Sequence, residues 1–133
     1  MLDANWAEKV LTMIAGDTDQ FLQNLNDDIV LEFPYARLVN LPVRIEGIET
    51  VREYIRNVNG VLKGLTFTNI AVLPLKEEGG FILEYEGSAP EVHKYDQTYI
   101  AVMRFRDGKL SLFKEYYDST EVARVTKLAA AAN

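Results

Sequence analysis

The chain contains no cysteine and only one histidine, His93, among its 133 residues. The lack of cysteine excludes disulfides, thiolate metal ligands and a cysteine nucleophile, and one histidine is too few for a zinc site of the usual His/Cys type. We therefore predict no metal site, and nothing in the sequence indicates another cofactor.

Long apolar runs and an excess of basic residues are also absent. The longest apolar run is far shorter than the roughly 20 residues needed to cross a bilayer, and the pattern of a secretion signal is missing. Fourteen basic against twenty acidic residues give a net charge of −6, which disfavours nucleic acid and anionic membranes as partners. We expect a cytoplasmic protein that binds neither.

Hydrophobic residues make up 48% of the chain, which is enough for the core of one domain. Aromatic residues make up 11%, with seven tyrosines and six phenylalanines, and this richness is a first indication of a lined cavity. We predict a single domain over residues 1–133. Its end, residues 127–133, is interpreted either as an alanine-rich helix end or as a disordered cloning remnant.

The spacing of apolar residues predicts helices first and long strands afterwards. Asp107-Gly108 is typical of a two-residue hairpin between the last two strands. Four helices are predicted: residues 4–15, a second helix capped by Asp17, residues 48–62, and a last helix that starts at Asp118. The predicted strands are 29–33, 65–75, 81–88, 95–106 and 109–117. This order predicts an α+β fold with three N-terminal helices on one side of a curved antiparallel sheet.

Two segments near the end of the chain resemble a known family. Residues 103–110 read MRFRDGKL and residues 114–118 read KEYYD, which is similar to the ending of SnoaL-like polyketide cyclases. Ketosteroid isomerases and phenazine-biosynthesis proteins are looser matches, and EGIETVREY, which opens the third helix, agrees with the same group. The resemblance covers about residues 4–125 and implies the cone of the nuclear transport factor 2-like (cystatin-like) fold.

The resemblance does not bring the chemistry of the ketosteroid isomerases with it. Phe33 stands where those enzymes have their general base, and Ala101 stands where they have the acid of the oxyanion hole. Their first-helix tyrosine would fall near Lys9 or Val10. Steroid isomerisation by that mechanism is therefore disfavoured.

Glu115 is the candidate for acid–base chemistry. Alternation along the last strand predicts that Ser111, Phe113, Glu115 and Tyr117 share the inward face. A glutamate among aromatic rings should have a raised pKa, because desolvation disfavours its charged form. The phenazine-biosynthesis relatives carry an acid at the corresponding place, whereas their partnering histidine corresponds to about Tyr54.

Three further candidates each have a plainer interpretation. Asp118 matches an acid–base aspartate of SnoaL-type proteins, but it also fits a helix cap with Glu121. Tyr35 could polarise a carbonyl or simply pack against the protein with its hydroxyl in water. His93 could carry a proton at the pocket mouth, although a solvent-exposed loop histidine is the interpretation that we favour.

The remaining candidates would line a pocket for a small apolar ligand. Because inward aromatic and Met residues are also what a core requires, the same pattern predicts packing. The candidate ligand-binding residues are Phe33, Tyr54, Tyr99, Ala101, Met103, Phe113, Tyr117 and His93.

Two functions of different class remain open. One is a cofactor-free enzyme of isomerase, cyclase or dehydratase type that transfers protons on a small hydrophobic carbonyl compound. The other is a non-catalytic module that binds a small ligand or a partner chain. In either case we predict a homodimer, because Ile100, Val102, Leu112 and Tyr116 should emerge on the convex face, where exposed apolar side chains need covering.

Overall fold

The computed structural model describes residues 3–131, in which three helices precede the long strands and a fourth ends the chain. A 3-10 helix, Pro34–Val39, lies between the second and third helices. The helices are α1 (Ala4–Gly16), α2 (Thr18–Gln23), α3 (Ile48–Val61) and α4 (Ser119–Ala131). The three predicted N-terminal helices are thus confirmed.

Six strands form one curved, open sheet. They are β1 (Leu25–Glu32), β2 (Arg44–Glu46), β3 (Thr66–Pro74), β4 (Gly80–Ala89), β5 (Tyr95–Arg106) and β6 (Lys109–Tyr117). Their order across the sheet is β2-β1-β6-β5-β4-β3. The predicted meander of four long antiparallel strands, β3 to β6, is confirmed.

The sheet is not antiparallel throughout, because β1 pairs with β6 in parallel. Leu31 of β1 lies opposite Phe113 of β6, and β2 then adds to the other side of β1 in antiparallel fashion. This corrects the expectation of a wholly antiparallel sheet. Local patterning could not reveal the pairing, since it joins two segments separated by most of the chain.

Side-chain caps and a tight turn define several element boundaries. The carboxylate of Asp17 accepts a hydrogen bond from the backbone N–H of Gln20 and starts α2 as predicted. Asp107 and Gly108 both have positive φ, 54° and 79°, which is the backbone that a two-residue hairpin with a type I′ turn requires. The long β5–β6 hairpin is therefore specified locally.

The helices cover one face of the sheet and enclose the main core. Helix α1 packs against β3, and α3 packs against β1. A smaller cluster of Leu65, Ala89, Tyr95 and Val125 lies at the end of the sheet beneath α4. Because the functional candidates lie on the inner face of β4, β5 and β6, they are enclosed by this arrangement.

Several boundaries differ from the predicted ones. Strand β1 begins earlier than expected, at Leu25, and β2 together with the 3-10 helix occupies a stretch predicted to be a loop. Residues 127–131 continue α4, whereas 132–133 lie outside the described residues. No helix within residues 3–131 is both long and apolar enough to span a membrane.

Candidate functional site

Glu115 lies near the end of β6 with its side chain turned into the core. It is only 8% exposed, and it is the only buried Asp, Glu, Lys or Arg among residues 3–131. No arginine or lysine therefore compensates its charge in the interior. The predicted burial of Glu115 on the inward face is confirmed.

The hydroxyl of Tyr85 donates a hydrogen bond to Oε2 of Glu115. Tyr85 is on β4, and β5 lies between it and β6. The residue of β5 opposite Glu115 is Ala101, whose small side chain leaves the tyrosine room to reach across the intervening strand. Ala101, one of the candidate ligand-binding residues, thus leaves space for this contact.

Burial determines the protonation of the pair. Desolvation raises the pKa of Glu115 to about 7, and the hydrogen bond from Tyr85 partly opposes that rise. The pKa of Tyr85 is raised well above its usual range by burial first and by the charge of Glu115 second. The pair can therefore hold or release one proton near neutral pH at the carboxyl group.

Tyr99 lies beside Tyr85 on the neighbouring strand. Their rings stack at 4.9 Å with 18° between the planes, and Phe67 meets both edge-on. The hydroxyl of Tyr99 lies 2.8 Å from that of Tyr95. The predicted pocket residue Tyr99 thus connects the Glu115 pair to the end of the sheet under α4.

Phe33, Tyr54 and Tyr117 form the outer boundary of the site. Phe33 stacks on Tyr54 at 5.3 Å and packs against Tyr117 at 6.4 Å. Tyr54 and Tyr117 are only partly buried. Burial raises the pKa of Tyr117 to about 12, and Glu115 contributes to this rise. These three predicted residues come together within reach of the charge of Glu115.

Met103 and Phe113 lie deeper, opposite one another on β5 and β6, and both are buried. The alternation predicted along β6 holds for Phe113, Glu115 and Tyr117 but breaks at Ser111. A bulge shifts the register there, so that Leu110 takes the inward place. The hydroxyl of Ser111 instead donates to the backbone carbonyl of Arg104.

The structure does not bring Tyr35 to Glu115. Tyr35 is 43% exposed and packs edge-on against Tyr116 at 5.4 Å. Tyr116 is the neighbour of Glu115 and Tyr117 in sequence, so its side chain lies on the opposite face of β6. The 3-10 helix that follows Pro34 carries Tyr35 around the edge of the sheet to this outer face.

Asp118 and His93 are both exposed, whereas Glu115 is buried. The side chain of Asp118 accepts a hydrogen bond from the backbone N–H of Thr120, so Asp118 caps α4. Glu121 does not complete a capping box, because it accepts a hydrogen bond from the N–H of Asp96 instead. His93 occupies the β4–β5 turn with a φ of 51°.

Comparison with known proteins agrees with this geometry. The profile of the SnoaL-like domain family matches residues 6–113. The chain belongs to this family. It is 27% identical to the uncharacterized protein YesE of Bacillus subtilis over 109 residues, which cover 80% of this chain and 74% of YesE.

Solved structures show the same fold. A phenazine biosynthesis-related protein from Pseudomonas aeruginosa has a TM-score of 0.75 at 14% identity, over 92% of this chain and 81% of that protein. An NTF2-like protein of unknown function from Cytophaga hutchinsonii has a TM-score of 0.66 at 16% identity, over 86% and 98%. The predicted SnoaL-like family and the predicted nuclear transport factor 2-like fold are thereby confirmed.

Sequence reasoning missed two polar residues of this SnoaL-like domain. Tyr85 shares a face of β4 with Leu83, so its inward direction could be predicted, but its hydrogen bond to Glu115 depends on the register of three strands. Gln97 is 1% exposed and binds the backbone of Asp118 through both ends of its amide. A glutamine in an alternating strand carries no signal for that role.

A groove of about 340 Å³ lies away from the Glu115 pair, on the outside of α1 and α2. No predicted site residue contributes to it. Within residues 3–131 no group of three His, Asp or Glu side chains is placed to hold a metal ion. The groove is lined by Lys9, Thr12, Met13, Gly16, Asp17 and Gln20.

Proposed function

We propose that this SnoaL-like domain is a cofactor-free enzyme that transfers a proton on a small hydrophobic carbonyl compound, with Glu115 as the acid–base group. The observation that carries the proposal is the buried Glu115 carboxyl, hydrogen-bonded by Tyr85, with a pKa of about 7. General acid–base groups work best when their pKa lies near the operating pH. A glutamate that served only the fold would gain nothing from burial without a cationic partner.

The surroundings of Glu115 favour an apolar, uncharged ligand. The core around it consists of aromatic and aliphatic side chains, and no arginine or lysine within residues 3–131 is a buried residue. The phenazine biosynthesis-related protein of the same fold supports a role in the chemistry of small ring compounds. Tyr54 and Tyr117 are the half-buried members of the boundary, so we infer that the ligand enters between them.

The proposed step moves one proton from carbon to Glu115 and back. The carboxylate takes a proton from the carbon beside the carbonyl, and the electron pair of that C–H bond moves toward the carbonyl oxygen. Glu115 then returns the proton to another position of the same compound. Oε2 receives the bond from Tyr85, which leaves Oε1 to face the substrate.

Deuterium exchange tests the proposal without knowledge of the product. Small cyclic and aromatic carbonyl compounds are incubated with the protein in D₂O, and NMR follows the loss of the proton beside the carbonyl. An enzyme of this kind exchanges that proton faster than buffer does. A compound that raises the melting temperature yet never exchanges above the buffer rate would favour the non-catalytic module instead.

We further propose that two copies of the chain associate through the outer face of β4, β5 and β6. Ile100 is 45% exposed there, and the cross-strand neighbours on its two sides are Glu84 and Tyr116. A two-fold contact centred near Ile100 would cover this apolar surface and bring Glu84 of one copy toward Lys114 of the other.

Light scattering at micromolar concentration is expected to give about twice the chain mass of 15.1 kDa. The change Ile100→Lys places a charge in the contact, so it should reduce the mass to that of one chain. Leu73→Lys is the matched control, because Leu73 is 52% exposed on β3, outside the proposed contact. A monomeric mass for the unchanged protein would disprove the dimer.

A further inference from the structure

Gly87 of β4 lies directly beneath the ring of Tyr99. A Cβ atom at this glycine would come within 2.7 Å of Cε2 of Tyr99 and 3.2 Å of its hydroxyl oxygen. Approaches below about 3 Å between such atoms do not occur without displacement of one of them. The ring of Tyr99 can therefore lie flat on the sheet only because residue 87 has no side chain.

The position of Tyr99 controls the position of Tyr85. The two residues face each other across β4 and β5, and their stacked rings are held from the side by Phe67. The 2.8 Å contact between the hydroxyls of Tyr99 and Tyr95 anchors the far end of the Tyr99 ring. One face of the Tyr85 ring thus packs against Tyr99, which is itself held by Phe67 and by the hydroxyl of Tyr95.

We propose that Tyr99 is a positioning residue that holds Tyr85 where its hydroxyl reaches Glu115, and that Gly87 makes the room this arrangement needs. The inference deepens the proposed function of the same site. Its test measures the protonation of Glu115 and not turnover, so the positioning role of Tyr99 and the proposed enzyme function can fail separately. If Tyr99 only filled the core, displacing it would change stability without changing that proton.

The charge of Glu115 contributes to the raised pKa of five tyrosines from α3, β4, β5 and β6. They are Tyr54, Tyr85, Tyr95, Tyr99 and Tyr117. Within residues 3–131 only Tyr85 donates a hydrogen bond to the carboxyl group of Glu115. A change that pulls Tyr85 away therefore removes the hydrogen bond that lowers the pKa of Glu115.

The experiment is an NMR titration of the Glu115 carboxyl carbon in the whole protein labelled with ¹³C-glutamate, assigned by the loss of one signal in Glu115→Gln. In Gly87→Ala we expect the apparent pKa to rise by about one to two pH units, the size of one hydrogen bond to a charged group. Tyr85→Phe should give the full rise, and Gly87→Ala should add nothing to it, because the bond is already gone.

Gly80→Ala is the matched control. It places the same methyl group on the same strand, where it meets the side chain of Leu75 and not an aromatic ring. The Glu115 titration should stay as in the unchanged protein. An unaltered titration in folded Gly87→Ala would overturn the proposal. If Gly87→Ala does not fold, Tyr99→Phe is the deciding variant, because it removes the hydroxyl contact with Tyr95. A rise in the apparent pKa of Glu115 then supports the proposal, and an unchanged titration overturns it.

Discussion

The change Glu115→Gln is expected to lower the rate of proton exchange on a carbonyl substrate by a factor of about 10² to 10⁴, the usual contribution of a general acid or base. Glutamine keeps the shape of the side chain, and its amide oxygen can still accept the hydrogen bond from Tyr85. Only the titrating proton is lost. Ligand affinity should therefore stay within a few-fold of the original value.

The measurement compares deuterium incorporation in the variant and in the unchanged protein. Glu8→Gln is the control, since Glu8 is an exposed residue of α1 and its loss should leave exchange unaltered. In the unchanged protein, a rate that rises through about pH 7 would identify Glu115 as a base, and one that falls would identify it as an acid. Exchange that persists in Glu115→Gln would remove Glu115 from the mechanism.

The free energy of unfolding is expected to fall by about 3 kcal/mol as the pH rises from 4.5 to above 7, through Glu115 alone. In the unfolded chain this carboxyl loses its proton near 4.5, whereas in the folded protein burial raises its pKa to about 7. Between these values the unfolded state releases a proton that the folded state retains. The stabilisation is therefore complete below pH 4.5 and lost as the pH passes 7.

Urea unfolding of the unchanged protein and of Glu115→Gln, at several pH values from 4.5 to 8, isolates this effect. Glutamine cannot titrate, so the stability of the variant relative to the unchanged protein should increase as the pH rises. The arginine partners of Asp28 and Glu121 lower the pKa values of these carboxyls, so their titration also makes stability depend on pH. Both residues are present in the two proteins, and their contributions cancel in the difference. Parallel pH curves would show that Glu115 is not buried as described.

The inward face of the last strand was predictable from its residues alone. Side chains on a strand alternate with a period of two, so Phe113, Glu115 and Tyr117 had to share a face. The large apolar members then determine which face is buried. The prediction failed at Ser111 because a bulge adds one residue to β6, and the sequence there contains no glycine or proline that would mark it.

Two candidates that the resemblance suggested, Tyr35 and Asp118, do not gather at Glu115, and the reason is a different one. Tyr35 and Asp118 each follow directly after a strand, and the backbone that leaves a strand can turn toward either face. For Tyr35 the 3-10 helix leads to the outer face, and for Asp118 the start of α4 uses the carboxylate as a cap. The alternation of side chains within a strand does not predict the direction of the backbone after the strand ends.

The class of the fold, the β5–β6 hairpin and the inward direction of Glu115 could be predicted from the residues, because they depend on propensities and periodicities that act over a few residues. Three features required the three-dimensional structure: β1 lies parallel to β6, Tyr85 reaches past Ala101 to Glu115, and Gly87 admits the ring of Tyr99. These contacts join strands that are distant in the chain. Their geometry depends on the register and curvature of the whole sheet, to which every strand contributes.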